Sequence, residues 1–233
     1  MEHILLLHGA LGAASTLKPL QQALQAYYNV HTVNFSGHGG QEIPVADFSI
    51  DLFAQDVLTY INRQELQQVH IFGYSMGGYV ALYLASQHPY RIKTIFTLAT
   101  KFDWSPATAE KELKLLNPEK IIEKVPHFAH TLAERHNPQN WKEIMTKTAV
   151  MMQQLGKQPV LTAEIMNQIQ VRVQVGVGDN DTMVSLEETL FAFRNLPLAS
   201  LLVLPATIHP IESVSVHRLL YEVQSFIDHV SNS

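Results

Sequence analysis

The amino-acid sequence predicts an α/β fold, with a mainly parallel six-stranded sheet that is flanked by helices and carries a helical cap insertion. Three observations support this prediction. Six short apolar segments have the composition of buried strands, helical patterns lie between most of them, and one long stretch shows helix starts but no strand pattern. Strands that alternate with helices along a chain form a parallel sheet with helices on both faces.

The predicted strands are short runs rich in β-branched residues, as in sheets that are buried on both faces. They span His3 to His8, Val30 to Phe35, Val69 to Gly73, Thr94 to Ala99, Val171 to Val177 and Ser200 to Leu204. The predicted core helices have apolar residues three and four positions apart. They cover Leu17 to Tyr27, Ile50 to Ile61, Gly78 to Gln87 and the closing stretch from Ile211.

Residues 101–170 are predicted to form the cap. Three Ser or Asn residues there precede a proline, which is the pattern of an N-cap and a first helical position. These pairs are Ser105-Pro106, Asn117-Pro118 and Asn137-Pro138. The longest cap helix is expected to place on one face Trp141, Ile144, Met145, Thr148, Met152 and Leu155. The chain then divides into a core of residues 1–100 and 171–233 and a cap of residues 101–170.

The composition favours a small-molecule partner. The 233 residues, 46% of them hydrophobic, suit one sizeable domain. A net charge of −5 gives no general attraction to nucleic acid or to anionic membranes.

Cysteine is absent, which excludes disulfides and thiolate chemistry. The apolar run after Met1 is too short for a signal peptide or a membrane span. We expect a cytoplasmic monomer or homodimer that binds neither nucleic acid nor membrane.

The segment Gly73-Tyr74-Ser75-Met76-Gly77 matches the pattern G-x-S-x-G, between a predicted strand and a predicted helix. A tight turn of this kind exposes a serine hydroxyl and requires small flanking residues, so that strand and helix can approach. The sequence therefore predicts Ser75 as a nucleophile.

A serine nucleophile needs a base to take its proton and an acid to orient the base. Gly178-Asp179-Asn180-Asp181 follows the fifth predicted strand, and Ile208-His209-Pro210 follows the sixth. Both lie at the sheet edge that also holds Ser75, because the carboxyl ends of parallel strands meet there. His209 is the predicted base. Asp179 and Asp181 both remain candidates for the acid at this point.

An oxyanion hole requires two amide donors. The Met76 amide, directly after the nucleophile at the helix N-terminus, is the first predicted donor. The loop His8 to Gly12 after the first strand supplies the second, with Ala10 preferred and Leu11 as the alternative.

The chain resembles the α/β-hydrolase superfamily of capped esterases, lipases and carbon-carbon hydrolases. The resemblance rests on HGALG, NFSGHGG, GYSMGG, GDNDTMV and ATIHPIE, which span nearly the whole sequence. It favours Asp181 as the acid and leaves Asp179 as a turn residue. Because some hydrolases of this family carry the acid after the fourth strand, Asp103 is a further alternative.

Several other residues have both a functional and a structural interpretation. His8 and His38 are expected to shape loops near the site. His127, His130 and His136 are interpreted as solvated helix positions and not as metal ligands, and no cofactor or metal is expected. Trp104, Phe128, Trp141 and the Met151-Met152 pair are interpreted first as packing inside the cap, with substrate contact as the alternative. The candidates for substrate contact are Trp104, Phe128 and Trp141.

These residues predict a serine hydrolase that cleaves a small carboxylic ester or a related acyl compound. A carbon-carbon hydrolase, a thioesterase or a lyase could use the same triad, and a small-molecule receptor could use the same scaffold. Residues 101–157 hold nine Lys and Arg against seven Asp and Glu. Solvated helix faces explain this charge, with attraction of an anionic substrate as the alternative.

Overall fold

A sheet of six strands forms the centre of the protein. The computed structural model describes residues 1–231, with side chains through residue 229. The strands are β1 His3–Leu7, β2 Asn29–Val33, β3 Val69–Tyr74, β4 Ile92–Leu98, β5 Arg172–Gly178 and β6 Ala199–Leu204. Their order across the sheet is β2-β1-β3-β4-β5-β6, and every neighbouring pair is parallel.

The strand order reverses its direction between β1 and β3. From β1 the chain moves outward to β2, and from β3 it moves to the opposite edge. The loops that leave β1 and β3 therefore diverge and open a crevice at the carboxyl ends of the strands, where open α/β sheets bind their ligands.

Ten helices connect and cover the strands within residues 1–231. They are α1 Lys18–Leu24, α2 Ile50–Arg63, α3 Met76–Gln87, α4 Pro106–Leu113, α5 Pro118–Lys124, α6 Pro126–His136, α7 Trp141–Lys157, α8 Ala163–Asn167, α9 Leu186–Asn195 and α10 Val216–Ser231. No helix among them is long and apolar enough to cross a lipid bilayer.

Both faces of the sheet are buried. Leu5 and Leu7 of β1 belong to a cluster with side chains of α2, α3 and α9, whereas Ile4 and Leu6 belong to a second cluster with α1 and α10. This alternation follows from the two-residue period of a strand. The predicted fold class is thus confirmed, and the observed strand ends differ from the predicted ends by at most two residues.

The segment between β4 and β5 contains helices α4 to α8 and no strand. Ser105 and Asn117 are N-caps as predicted, because their side chains accept hydrogen bonds from the amides of Thr108 and Lys120. Buried residues of this segment, such as Leu132, Ile144 and Met145, share one cluster with the α2 and α3 face of the sheet. The division at residues 101–170 stays a prediction, and residues 232–233 of the predicted core lie outside the described part.

The prediction of a helix start at Asn137 is wrong. Asn137 follows the last residue of α6, and the Gln139 amide bonds back to the His136 carbonyl at 2.8 Å. Helix α7 begins at Trp141, with Asn140 as its N-cap. Both Asn residues suit an N-cap by type, and the backbone turn after α6 selects the later one.

Candidate active site

Three loops at the carboxyl edge of the sheet bring Ser75, Asp181 and His209 to the same region. Ser75 directly follows β3, Asp181 follows β5, and His209 follows β6. Ser75 and His209 line one cavity.

Ser75 occupies a strained turn between β3 and α3. Its φ of 52° and ψ of −120° are rare for a residue with a side chain. A Cβ on Gly73 would lie 2.5 Å from the Gly78 Cα, and a Cβ on Gly77 would lie 2.3 Å from the Leu7 carbonyl oxygen. Both distances are far below contact distance, so positions 73 and 77, two residues before and after Ser75, must be glycine. The first amides of α3, including that of Met76, have no partner within the helix.

His209 and Asp181 form a short hydrogen bond. The His209 Nδ1 lies 2.8 Å from the Asp181 Oδ2, and the two side chains are 10% and 1% exposed. A carboxylate can only accept, so Nδ1 carries the proton. In the neutral ring Nε2 is then unprotonated and can accept a proton.

The Asp181 carboxylate is held by further donors. Its Oδ1 accepts hydrogen bonds from the amides of Met183 and Val184, both at 2.8 Å. Burial raises the pKa of Asp181, but the hydrogen bonds from His209 and these two amides outweigh burial and keep the pKa below its usual value. The carboxylate is therefore charged at neutral pH.

The alternative acids are placed elsewhere. Asp179 is exposed, and its Oδ1 accepts a hydrogen bond from the Thr207 amide at 3.2 Å. Asp103 accepts a hydrogen bond from the Thr108 hydroxyl at 2.9 Å, near the start of α4. Of these three carboxylates, only that of Asp181 is hydrogen-bonded to His209.

Tyr74 contacts the His209 loop from the side of the sheet. Its hydroxyl donates to the His209 carbonyl at 3.0 Å, and the two ring centroids are 5.5 Å apart. Burial raises the pKa of Tyr74, so the hydroxyl keeps its proton. The sequence offers no signal for this role, because Tyr74 occupies a variable position of the G-x-S-x-G pattern.

The loop after β1 forms a tight turn beside Ser75. The Gly12 amide bonds to the Gly9 carbonyl at 3.0 Å, and Ala10 and Leu11 lie between them. Leu11 has a φ of 55°. Both residues, and Met76, line the same cavity as Ser75. These three residues carry the amides predicted to form the oxyanion hole.

A cavity of about 380 Å³ has Ser75 in its wall and is also lined by residues of the segment between β4 and β5. Most of the lining residues from this segment are apolar, and they include Trp104, Leu115, Leu116, Ile121, Phe128, Met151, Met152 and Leu155. Two of the predicted contact residues, Trp104 and Phe128, thus face the cavity. Trp141 does not line it and instead packs half-buried against the main core cluster.

Charged side chains of the cavity wall are paired with one another. Lys101 lies 3.2 Å from Glu112 and 3.8 Å from Glu188. Arg135 lies 3.8 Å from Glu212. These pairs could not be predicted from the sequence, because partners such as Arg135 and Glu212 are far apart along the chain.

The histidines divide into two groups. His127 and His130 are exposed, as predicted. The prediction that His136 is solvated is wrong, because His136 is fully buried between α6 and the loops after β1 and β2. His8 and His38 are also buried. Among the residues with described side chains, no group of three or more His, Asp or Glu is placed to hold a metal ion.

Sequence comparisons identify relatives that match part of the chain. The family model described as alpha/beta hydrolase fold matches residues 2–143, which is more than half of the chain. A pimeloyl-[acyl-carrier protein] methyl ester esterase of Aeromonas hydrophila is 31% identical over 98 residues, which cover 42% of this chain and 37% of the relative. The chloroplastic pheophytinase of Arabidopsis thaliana is 42% identical over 72 residues, covering 29% of this chain and 15% of the relative. The matched parts thus span well under half of these relatives.

Structural comparisons extend over nearly the whole chain. A thermophilic esterase from Thermogutta terrifontis has a TM-score of 0.80 at 18% identity, covering 99% of this chain and 90% of the other. A meta-cleavage product hydrolase from Pseudomonas fluorescens has a TM-score of 0.79 at 17% identity, covering 98% and 91%. Such low identities establish the fold alone. Together with the match to the family model, they show that this chain belongs to the alpha/beta hydrolase fold family.

Proposed function

We propose that this hydrolase is a serine esterase that cleaves a carboxylic ester with an apolar acyl group through an acyl-enzyme. The observation that carries the proposal is the 2.8 Å hydrogen bond between His209 and the buried Asp181, with His209 and Ser75 on the wall of one cavity. This arrangement has the parts that an activated serine requires.

In the acylation step, the Ser75 hydroxyl oxygen attacks the ester carbonyl carbon while His209 Nε2 takes the hydroxyl proton. Asp181 keeps the proton on Nδ1 and stabilises the imidazolium that forms. The amides of Ala10 and Met76 donate to the oxyanion, with the Leu11 amide as the alternative to Ala10. The tetrahedral intermediate then expels the alcohol, which receives the proton from His209.

In the deacylation step, water attacks the acyl-enzyme carbonyl and gives a proton to His209 Nε2. The second tetrahedral intermediate expels Ser75, which regains that proton. The products are one carboxylic acid and one alcohol, and the side chains return to their starting state.

The cavity wall supports an apolar acyl group. Its volume of about 380 Å³ is at the lower end of small-molecule sites. The flexible side chains of Met151 and Met152 in the wall can adapt to an aliphatic chain. Since Lys101 and Arg135 already face Glu112 and Glu212, the wall offers a substrate carboxylate less attraction than the cap charge alone indicates. The names of the Aeromonas relative and the Thermogutta neighbour, both esterases, agree with this reaction class.

The proposal is tested with p-nitrophenyl esters of increasing acyl length, in parallel with dienone and acyl-CoA substrates. We expect turnover of the simple esters by wild type and only background hydrolysis by Ser75→Ala. Turnover of a dienone or an acyl-CoA but not of esters would replace the proposed reaction with one of the alternatives. Ester turnover by Ser75→Ala at the wild-type rate would refute the role of Ser75.

A further inference from the structure

Two neighbouring side chains at the end of α6 bond to the same backbone atom in the core. The Arg135 Nη1 donates to the Leu11 carbonyl oxygen at 2.9 Å, and the His136 Nε2 lies 3.1 Å from the same oxygen. A carbonyl oxygen has two lone pairs, so these two donors saturate it. The cap thus contacts the turn that lies beside Ser75.

The turn needs such support because of its backbone conformation. Leu11 has a φ of 55°, in the left-handed region that a leucine adopts only when its surroundings hold it there. The hydrogen bond from the Gly12 amide to the Gly9 carbonyl closes the turn but does not orient it against α3. The two side chains of α6 supply contacts from outside the turn.

His136 is itself fixed from two sides. Its Nδ1 accepts a hydrogen bond from the Gly39 amide at 3.1 Å, so the proton resides on Nε2 and points at Leu11. The side chain is fully buried, and burial lowers the pKa of His136 to about 4. The imidazole is therefore neutral at neutral pH and keeps one acceptor and one donor.

We propose that Arg135 and His136 are positioning residues that hold the Gly9–Gly12 turn in the orientation in which its amide donates to the oxyanion. This inference rests on the proposed esterase reaction. An oxyanion donor stabilises the transition state only when it is aimed at the developing charge, and loss of one donor costs about 10² to 10³ in kcat. If the turn is loosened but still present, we expect kcat to fall about tenfold, with little change in KM.

Two substitutions at His136 separate its two hydrogen bonds. His136→Gln retains an amide donor near the position of Nε2, and His136→Asn retains an acceptor near Nδ1. We expect His136→Asn to lower kcat about tenfold and His136→Gln to retain most of it. His130→Asn is the matched control, since His130 is exposed on the same helix. Equal kcat in the Gln and Asn variants, or a change confined to KM, would overturn the inference.

Arg135 also lines the cavity, so its role as a positioning residue must be separated from direct contact with substrate. Arg135→Met is assayed with a neutral ester and with an ester that bears a carboxylate. A positioning role lowers kcat for both esters, whereas contact with substrate raises KM for the charged ester alone. The second outcome would overturn the role of Arg135.

A measurement that needs no turnover completes the test. Amide hydrogen exchange is followed by NMR at Gly12, whose amide closes the turn. We expect faster exchange in His136→Asn and Arg135→Met than in wild type and His130→Asn. Unchanged exchange would overturn the inference even in an active esterase. Faster exchange would support the part of the inference that the two side chains hold the turn, even if wild type cleaved no ester. Absence of ester cleavage by wild type would instead refute the proposed function.

Discussion

The His209 imidazole and the Asp181 carboxylate are joined by a 2.8 Å hydrogen bond, although 28 positions separate them in the sequence. They meet because β5 and β6 are parallel neighbours, so that the loops after both strands lie at one edge of the sheet. Because Nδ1 is held by the carboxylate, Nε2 is the ring nitrogen that can accept a proton.

Asp181→Asn is expected to lower kcat by about 10⁴ while leaving the fold intact. Asparagine would present an amide N–H to Nδ1 and favour the tautomer with the proton on Nε2, which cannot accept the proton of Ser75. The measurement is steady-state hydrolysis of a p-nitrophenyl ester, with circular dichroism to monitor folding.

Asp179→Asn is the matched control, because Asp179 is exposed and bonds to the Thr207 amide and not to His209. Its kcat should stay within about tenfold of wild type. An Asp179→Asn variant as impaired as Asp181→Asn would show that the wrong carboxylate has been assigned.

Tyr74→Phe is expected to lower kcat several-fold and the free energy of unfolding by about 1 kcal/mol. The phenyl ring still packs against His209, but the His209 carbonyl loses the hydroxyl donor that holds its loop. Tyr83→Phe serves as the control, since the Tyr83 hydroxyl bonds to Asp51 in an exposed pair. Equal effects of both substitutions on kcat would rule out a specific role for Tyr74.

Met152→Trp is expected to shift the preference of the enzyme toward shorter acyl chains. Met152 is half-buried on α7 and lines the cavity, so a larger side chain reduces the space above Ser75. The ratio of kcat/KM for octanoyl and acetyl esters measures the effect. Gln153→Trp, at the neighbouring exposed position, should leave this ratio unchanged. A ratio unaffected by Met152→Trp would place the acyl chain elsewhere.

The stability of the fold is expected to fall as the pH drops from about 6.5 to about 4. His8, His38 and His136 are fully buried, with ring centroids of His38 5.3 Å from His8 and 5.6 Å from His136. Burial lowers the pKa of His38 and of His136 to about 4 and that of His8 well below its usual value. In the unfolded chain a histidine has a pKa of about 6.5.

The direction in which the stability changes with pH follows from the number of protons that the folded and the unfolded chain bind. Between these pKa values the unfolded chain binds protons that the folded chain does not, so acid favours unfolding. Above about pH 6.5 these residues contribute no pH dependence. Urea titrations at pH 7.5, 5.5 and 4.5 measure how the free energy of unfolding changes with pH. We expect this change to be smaller in His38→Phe. The same pH dependence of the free energy of unfolding in wild type and His38→Phe would contradict a contribution of His38 to the loss of stability in acid.

The local motifs of the site could be predicted from the sequence. The glycines that allow the Ser75 turn lie within a few positions of it in the chain. Asp181 and His209 follow strands that can be recognised by their apolar residues. Parallel strands then bring these loops to one edge without any further information.

The contacts of helices α4 to α8 could not be predicted in this way. Whether Trp141 or Met152 faces the cavity depends on the rotation of α7 against the core, and the hydrophobic pattern along the helix does not fix that rotation. Burial of His136 depends on the docking of α6 onto the loops after β1 and β2. Histidine by itself suits a solvated position equally well.

Covalent labelling of Ser75 is the most direct test of the central claim that His209 and Asp181 activate this serine. The folded protein is treated with a fluorophosphonate, and the adduct is located by mass spectrometry of intact protein and peptides. We expect one adduct, on Ser75, with none in Ser75→Ala and much slower labelling in Asp181→Asn. A folded wild-type protein that stays unlabelled, or that carries its adduct on another residue, would contradict the claim.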